Sequence, residues 1–167
     1  SGETADTLAA LREAKKRGAR SIGVINVVGS TMSREVDSGI FIHAGPEIGV
    51  ASTKAFTGQV VALNFLAMKL ALMRQDMSLQ DVRMAMMELS LLPEYVEKCL
   101  GSEQVAKIKK VAELVSSSKS VFFIGRGVNL ATAMEGALKL KEISYIHAEC
   151  FAAGEMKHGP IALLEPG

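Results

Sequence analysis

Glu135, Lys139 and Glu142 stand at i, i+4 and i+7, a spacing that puts two carboxylates and an amine on one face of a helix. A carboxylate held beside a lysine is suited to moving a proton at a carbon next to a carbonyl or imine. The same spacing also describes an exposed ion-pair stripe, worth about 0.2–0.5 kcal/mol per pair. His158 follows in Gly154-Glu155-Met156-Lys157-His158-Gly159-Pro160, where a glycine-bounded histidine can act as acid or base near neutral pH or be merely solvated. Ser1-Gly2-Glu3-Thr4 brings two hydroxyls and a glycine to the start of a helix. Free N–H groups and the positive end of the helix dipole favour an anion there, and a plain capping segment has the same composition.

Other groups give weaker signals. Gly125-Arg126-Gly127 lies between a strand pattern and a helix pattern, but Leu130 stands where a dinucleotide fingerprint needs its third glycine, so NAD binding is not expected and a tight turn accounts for the glycines. His147 falls off the Glu142 face and is read as structural; His43, beside Gly45, points to nothing specific. The nine methionines read as core filler. Cys99 and Cys150 are too few for a disulfide framework and lack metal-ligand spacing, which suits reduced thiols in a cytoplasmic protein.

The elements that must position these residues alternate between strand, glycine turn and helix. A helix is expected from Thr4 to Gly18, with Leu8, Leu11 and Ala14 at helical spacing. Buried strands are expected at residues 21–28 and 39–43, with a turn at Gly29-Ser30-Thr31. Long helices follow at about 51–74, 79–99 (with Pro93 kinking it or ending a turn in it) and 103–116. A strand at 120–124 then enters Gly125, a helix covers about 131–146, and a glycine-punctuated loop surrounds residues 154–160. Such alternation predicts parallel-sheet α/β units, with the helical middle bridging two sheets. The domain boundary is placed near Leu100-Gly101-Ser102, giving domains of 1–100 and 101–167.

The chain has 167 residues, 19 Lys+Arg against 18 Asp+Glu and a net charge of +1, which argues against a nucleic-acid or anionic-membrane surface as its main partner. Hydrophobic residues at 49% and charged residues at 22% suit a globular chain, able to bury roughly 70% of its unfolded surface. The longest apolar run, residues 60–73, is broken by Asn64 and Lys69 and is short for a bilayer span. The chain starts without Met inside a loop-to-helix signal and stops as an apolar, strand-like run begins. An internal piece of a larger protein is therefore expected.

Four blocks occur in order: Ser1-Gly2-Glu3-Thr4-Ala5-Asp6-Thr7, Glu47-Ile48-Gly49-Val50-Ala51-Ser52-Thr53-Lys54-Ala55, Glu135-Gly136-Ala137-Leu138-Lys139-Leu140-Lys141-Glu142, and Gly154-Glu155-Met156-Lys157-His158-Gly159-Pro160. Together they resemble the isomerase half of the glucosamine-6-phosphate synthases (glutamine:fructose-6-phosphate aminotransferases), over essentially the whole chain. The first block alone resembles only the wider sugar-isomerase (SIS) family. The resemblance implies doubly wound, flavodoxin-like SIS domains in tandem, here as an incomplete fragment: the later part of the first, connecting helices, and the opening of the second. It implies that Ser1 and Thr4 hold the phosphate of fructose 6-phosphate and that Val50, Ser52 and Glu135 contact the sugar. It implies that Glu142 shuttles a proton between the first two sugar carbons, that Lys139 helps it, and that His158 opens the ring in the neighbouring subunit's site. A homodimer and no metal or organic cofactor follow from the same resemblance. So do a Schiff-base lysine and a glutaminase cysteine outside these 167 residues. A stand-alone SIS isomerase or deglycase would share the phosphate loop and the Glu/His pair. A non-catalytic sugar-phosphate sensor would not need Glu142 and His158. An isolated piece of this length is expected to be marginally stable and inactive.

Overall fold

The computed structural model describes residues 2–164 and divides into two compact units, Ser1–Pro93 and Glu94–Gly167. In the first unit, helix α1 (Ala5–Lys16) buries Leu8. It ends where Gly18, at φ +83°, takes the left-handed conformation that other residues avoid. Strand β1 (Ile22–Ile25) pairs in parallel with β2 (Ser38–Phe41), in a register running from Ile22 opposite Ser38 to Ile25 opposite Phe41. Ile25 is 1% exposed and centres this small core.

The expected strand over 21–28 is shorter because the Asn26 amide leaves the ladder, donating to the Gly45 carbonyl and accepting from the Ala44 N–H. The chain then turns into a five-residue helix, α2 (Thr31–Glu35), where only a turn was expected. Ser30 caps it, its side chain accepting from the Ser33 N–H at 3.3 Å. β2 ends earlier than expected because His43 has φ +49°.

Helices α3 (Lys54–Met73) and α4 (Leu79–Ser90) follow, the latter opened by a reciprocal capping box between Ser78 and Asp81. The single helix expected over 79–99 is two, because the chain breaks at Leu91 before α5 (Leu92–Cys99). Pro93 thus stands in a first turn, where its missing N–H leaves no bond unmade. Helix α3 has 20 residues, and an 18-residue stretch of it has a mean hydropathy of 1.5. By length and composition it could cross a membrane, which the shorter apolar run over 60–73 did not suggest.

The second unit contains α6 (Ser102–Val115), β3 (Ser120–Gly125), α7 (Asn129–Ser144) and β4 (His147–Ala152). β3 and β4 are parallel, Ser120 opposite His147 through Gly125 opposite Ala152, with α7 as the crossover packed on both. Gly136 lets α7 approach the sheet: an added Cβ would stand 3.0 Å from the Phe123 ring. β4 was not expected. The helical pattern runs on to Ile146, but Tyr145 at φ +62° stops α7. The loop expected around 154–160 is two 3₁₀ turns, Ala153–His158 and Pro160–Leu163. The second runs up to the strand-like start expected at the end of the chain, of which Glu165, Pro166 and Gly167 lie outside the described residues. Both sheets are parallel and each pairs two strands among the described residues, which is the α/β class expected.

Much apolar surface stays open. The chain, of 17.8 kDa, exposes 12415 Å², whereas two separate compact bodies of half that mass would together expose roughly 9,600 Å². Ile48, Val128 and Tyr145 are among the side chains left almost wholly in solvent.

Candidate functional site

The most ordered cluster of charge lies on α7. Lys139 Nζ donates to Glu142 Oε2 at 2.6 Å and lies 3.3 Å from Glu135 Oε1. All three side chains are partly buried, at 22%, 31% and 25% exposure. The Glu142 hydrogen bond, reinforced by Glu135, pushes the Lys139 ammonium above its ordinary value against the opposing effect of burial. The amine therefore stays charged. Two of its three N–H groups have carboxylate partners, leaving one for a ligand. The three side chains thus form a partly sheltered ion-pair cluster and not a stripe on a fully exposed face.

His158 closes the first 3₁₀ turn and is exposed. Among the described residues it makes no hydrogen bond or ion pair with Glu135, Lys139 or Glu142. His147 opens β4, with its Nδ1 2.8 Å from Ser120 Oγ across the strand pair. That is the amino end of a parallel sheet, opposite the edge where α/β folds bind ligands.

In the first unit, Thr4 is the N-cap of α1 by its extended backbone, and its side chain makes no capping bond. Its hydroxyl is uncommitted among the described residues. Ser1 lies outside them. The rest of the loop is fastened to α2: the Gly2 carbonyl accepts from the Met32 N–H at 3.0 Å, and Glu3 Oε1 accepts from the Thr31 N–H at 2.8 Å. Bonds to Thr31 hold the Glu3 carboxyl below its ordinary range. Its charge is thus directed at a helix N-terminus and compensated there.

Val50 is 95% exposed. Ser52 is half-buried, and its Oγ donates to Glu47 Oε1 at 3.2 Å. The same oxygen accepts from the N–H groups of Thr53 and Ala55 at 3.0 and 3.3 Å, which holds the Glu47 carboxyl below its ordinary range, the Thr53 bond being the largest cause. Glu47 is the side chain that residue-by-residue reading overlooked. It caps α3 from seven positions ahead of Lys54, outside the usual capping-box spacing, so no local signal marks it.

The parallel strands and the crossover helix define an α/β domain. The SIS domain model matches residues 1–69 and 114–167, and the chain belongs to the SIS domain family. It is 54% identical over 167 residues, all of this chain, to the glutamine–fructose-6-phosphate aminotransferase (isomerizing) of Clostridium tetani. It is 52% identical over its full length to the enzyme of that name from Methanosarcina acetivorans. The chain spans 27% of the length of these relatives. Its fold matches the C-terminal domain of glucosamine-fructose-6-phosphate aminotransferase from Francisella tularensis with a TM-score of 0.94 and 44% identity, covering 99% of this chain and 46% of that one.

Proposed function

We propose that the chain is the sugar-isomerising segment of a glutamine:fructose-6-phosphate aminotransferase, which converts fructose 6-phosphate and glutamine-derived ammonia to glucosamine 6-phosphate. The observation that carries this reading is the identity of 54% to such an enzyme across the whole chain. The Glu135–Lys139–Glu142 cluster supports it with suitable chemistry. In the proposed step the open-chain sugar carries an imine at C2. The Glu142 carboxylate takes a proton from C1 and returns it to C2, while the proton of the C1 hydroxyl passes to the imine nitrogen, leaving an aldehyde at C1 and an amine at C2. One short carboxyl group can serve both carbons because they are bonded to each other. The Lys139 ammonium compensates the carboxylate and has one N–H left for the oxygen on C1.

Glu135 contacts the sugar and holds Lys139 from the other side. His158 opens the ring by exchanging protons with the anomeric hydroxyl and the ring oxygen, and serves the site of a neighbouring subunit, so that a homodimer is the working unit. Ser1 and Thr4 bind the phosphate, and Val50 and Ser52 the sugar. The domain division at 1–100 and 101–167 and a cytoplasmic location belong to the same reading.

The test is Glu142→Gln in the full-length protein. Fructose 6-phosphate should bind with unchanged affinity while glucosamine 6-phosphate formation falls at least about 10²-fold, the scale of a lost acid–base group. Normal turnover would remove Glu142 from the proton path.

A further inference from the structure

We propose that Glu47 is a positioning residue that fixes Ser52 as a hydrogen-bond acceptor, so that Ser52 pairs with a hydroxyl of the sugar and not with its phosphate or carbonyl oxygens. This rests on the reading of Ser52 as a sugar contact, and adds which atoms of the sugar it can recognise and what sets it up to do so.

The reasoning is one of proton count. A serine hydroxyl has a single proton to donate, and that of Ser52 is directed to Glu47 Oε1 at 3.2 Å. Glu47 cannot return a proton, since it accepts from Ser52, Thr53 and Ala55 and is held ionised by those bonds. Only the lone pairs of Ser52 Oγ remain for a ligand, and they require a donor opposite. A phosphate dianion or a carbonyl oxygen has none to offer; a sugar hydroxyl has. Thr4 differs, because its hydroxyl makes no capping bond and can still donate to an anion.

The arrangement is built into the backbone. Thr53, the N-cap of α3, has φ −125° and ψ −85° and makes no side-chain capping bond. The start of α3 therefore depends on a carboxylate from outside the helix. Glu47 satisfies two backbone donors and Ser52 with one oxygen, so the strength of the helix cap and the direction of the Ser52 proton are linked.

The test is a double-mutant cycle in the full-length protein, with Glu47→Gln, Ser52→Ala and the double variant, reading kcat and KM for fructose 6-phosphate alongside thermal midpoints. Gln keeps an amide oxygen for the N–H groups of Thr53 and Ala55, but it also offers a donor, so the Ser52 proton is no longer fixed. Glu47→Gln should raise KM about tenfold, the scale of one charge-assisted hydrogen bond, and change kcat less than about threefold. The double variant should be no worse than Ser52→Ala, because both changes remove the same interaction. If the two KM effects multiply, or if Glu47→Gln leaves KM unchanged, the positioning role is overturned while the functional reading stands. A wild-type protein that neither binds nor converts fructose 6-phosphate overturns the functional reading itself. Should Glu47→Gln fail to fold, Glu47→Asp, with the charge kept and the reach shortened, takes its place in the same cycle with the same criteria.

Discussion

Glu3 Oε1 lies 2.8 Å from the backbone nitrogen of Thr31, so the loop before α1 caps a helix that starts 28 residues further along the chain. Together with the bond from the Met32 N–H to the Gly2 carbonyl, this fixes residues 2–4 against α2. The proposed phosphate loop is thereby preorganised, with its one carboxylate turned to a different helix.

Gly2 is the point where this fastening is tightest. It has φ +84°, and an added Cβ would stand 2.7 Å from the Cβ of buried Ser30 and closer still to its hydroxyl. Gly2→Ala combines an unfavourable backbone conformation with a steric overlap and should cost about 2–4 kcal/mol. The urea midpoint of the variant is the measurement, and an unchanged midpoint would show that the loop is free of α2.

Gly125 and Gly136 should respond differently to alanine, although the first abuts the start of α7 and the second lies within it. A Cβ on Gly125 would meet the Asn129 carbonyl oxygen at 2.5 Å and the Leu130 Cα at 2.6 Å, both backbone atoms. Gly125→Ala should destabilise by about 3 kcal/mol. A Cβ on Gly136 would meet only the Phe123 ring, at 3.0 Å, while alanine adds about 1 kcal/mol of helix propensity. Gly136→Ala should therefore lie within about 1 kcal/mol of wild type. Denaturant unfolding of the two variants decides the order, and a larger loss at Gly136 would show that the Phe123 ring cannot yield to the added methyl.

Asp37 predicts an acid dependence. It accepts from the backbone N–H and hydroxyl of Ser21, both at 2.8 Å, and lies 3.1 Å from Lys15. The Ser21 bonds, backbone first, lower its pKa from 3.8 to about 2. A carboxyl with a depressed folded value stabilises above its unfolded value and loses that contribution as pH falls through the folded one. The thermal midpoint should thus drop between pH 3.8 and about 2, and Asp37→Asn should flatten the drop. Equal slopes for both proteins would show that Asp37 is not the group responsible.

The 167-residue chain expressed alone should unfold with poor cooperativity and bind an apolar dye before it melts, because its exposed surface of 12415 Å² exceeds what compact units of this size leave open. It should also lack synthase activity. A sharp calorimetric transition without dye binding, or measurable product, would contradict this.

The sequence by itself determined the class of fold and the grouping of charges on α7. Apolar strand patterns separated by glycine turns and helices specify parallel α/β units. The spacing of Glu135, Lys139 and Glu142 fixes their common face through helix geometry alone, and the structure places the three in contact. Local pattern failed where the deciding interaction is remote. β4 was invisible because Ala148 and Glu149 are weak strand formers, and because the stop at Tyr145 is a left-handed residue that no glycine announces. The split between α4 and α5 at Leu91 likewise has no sequence marker beyond Pro93, which stands two residues later. Only tertiary structure decided that Glu3 belongs to α2 and Glu47 to α3. A carboxylate bonds to whatever N–H the folded chain brings within about 3 Å, and which N–H that is depends on the path of the backbone between them.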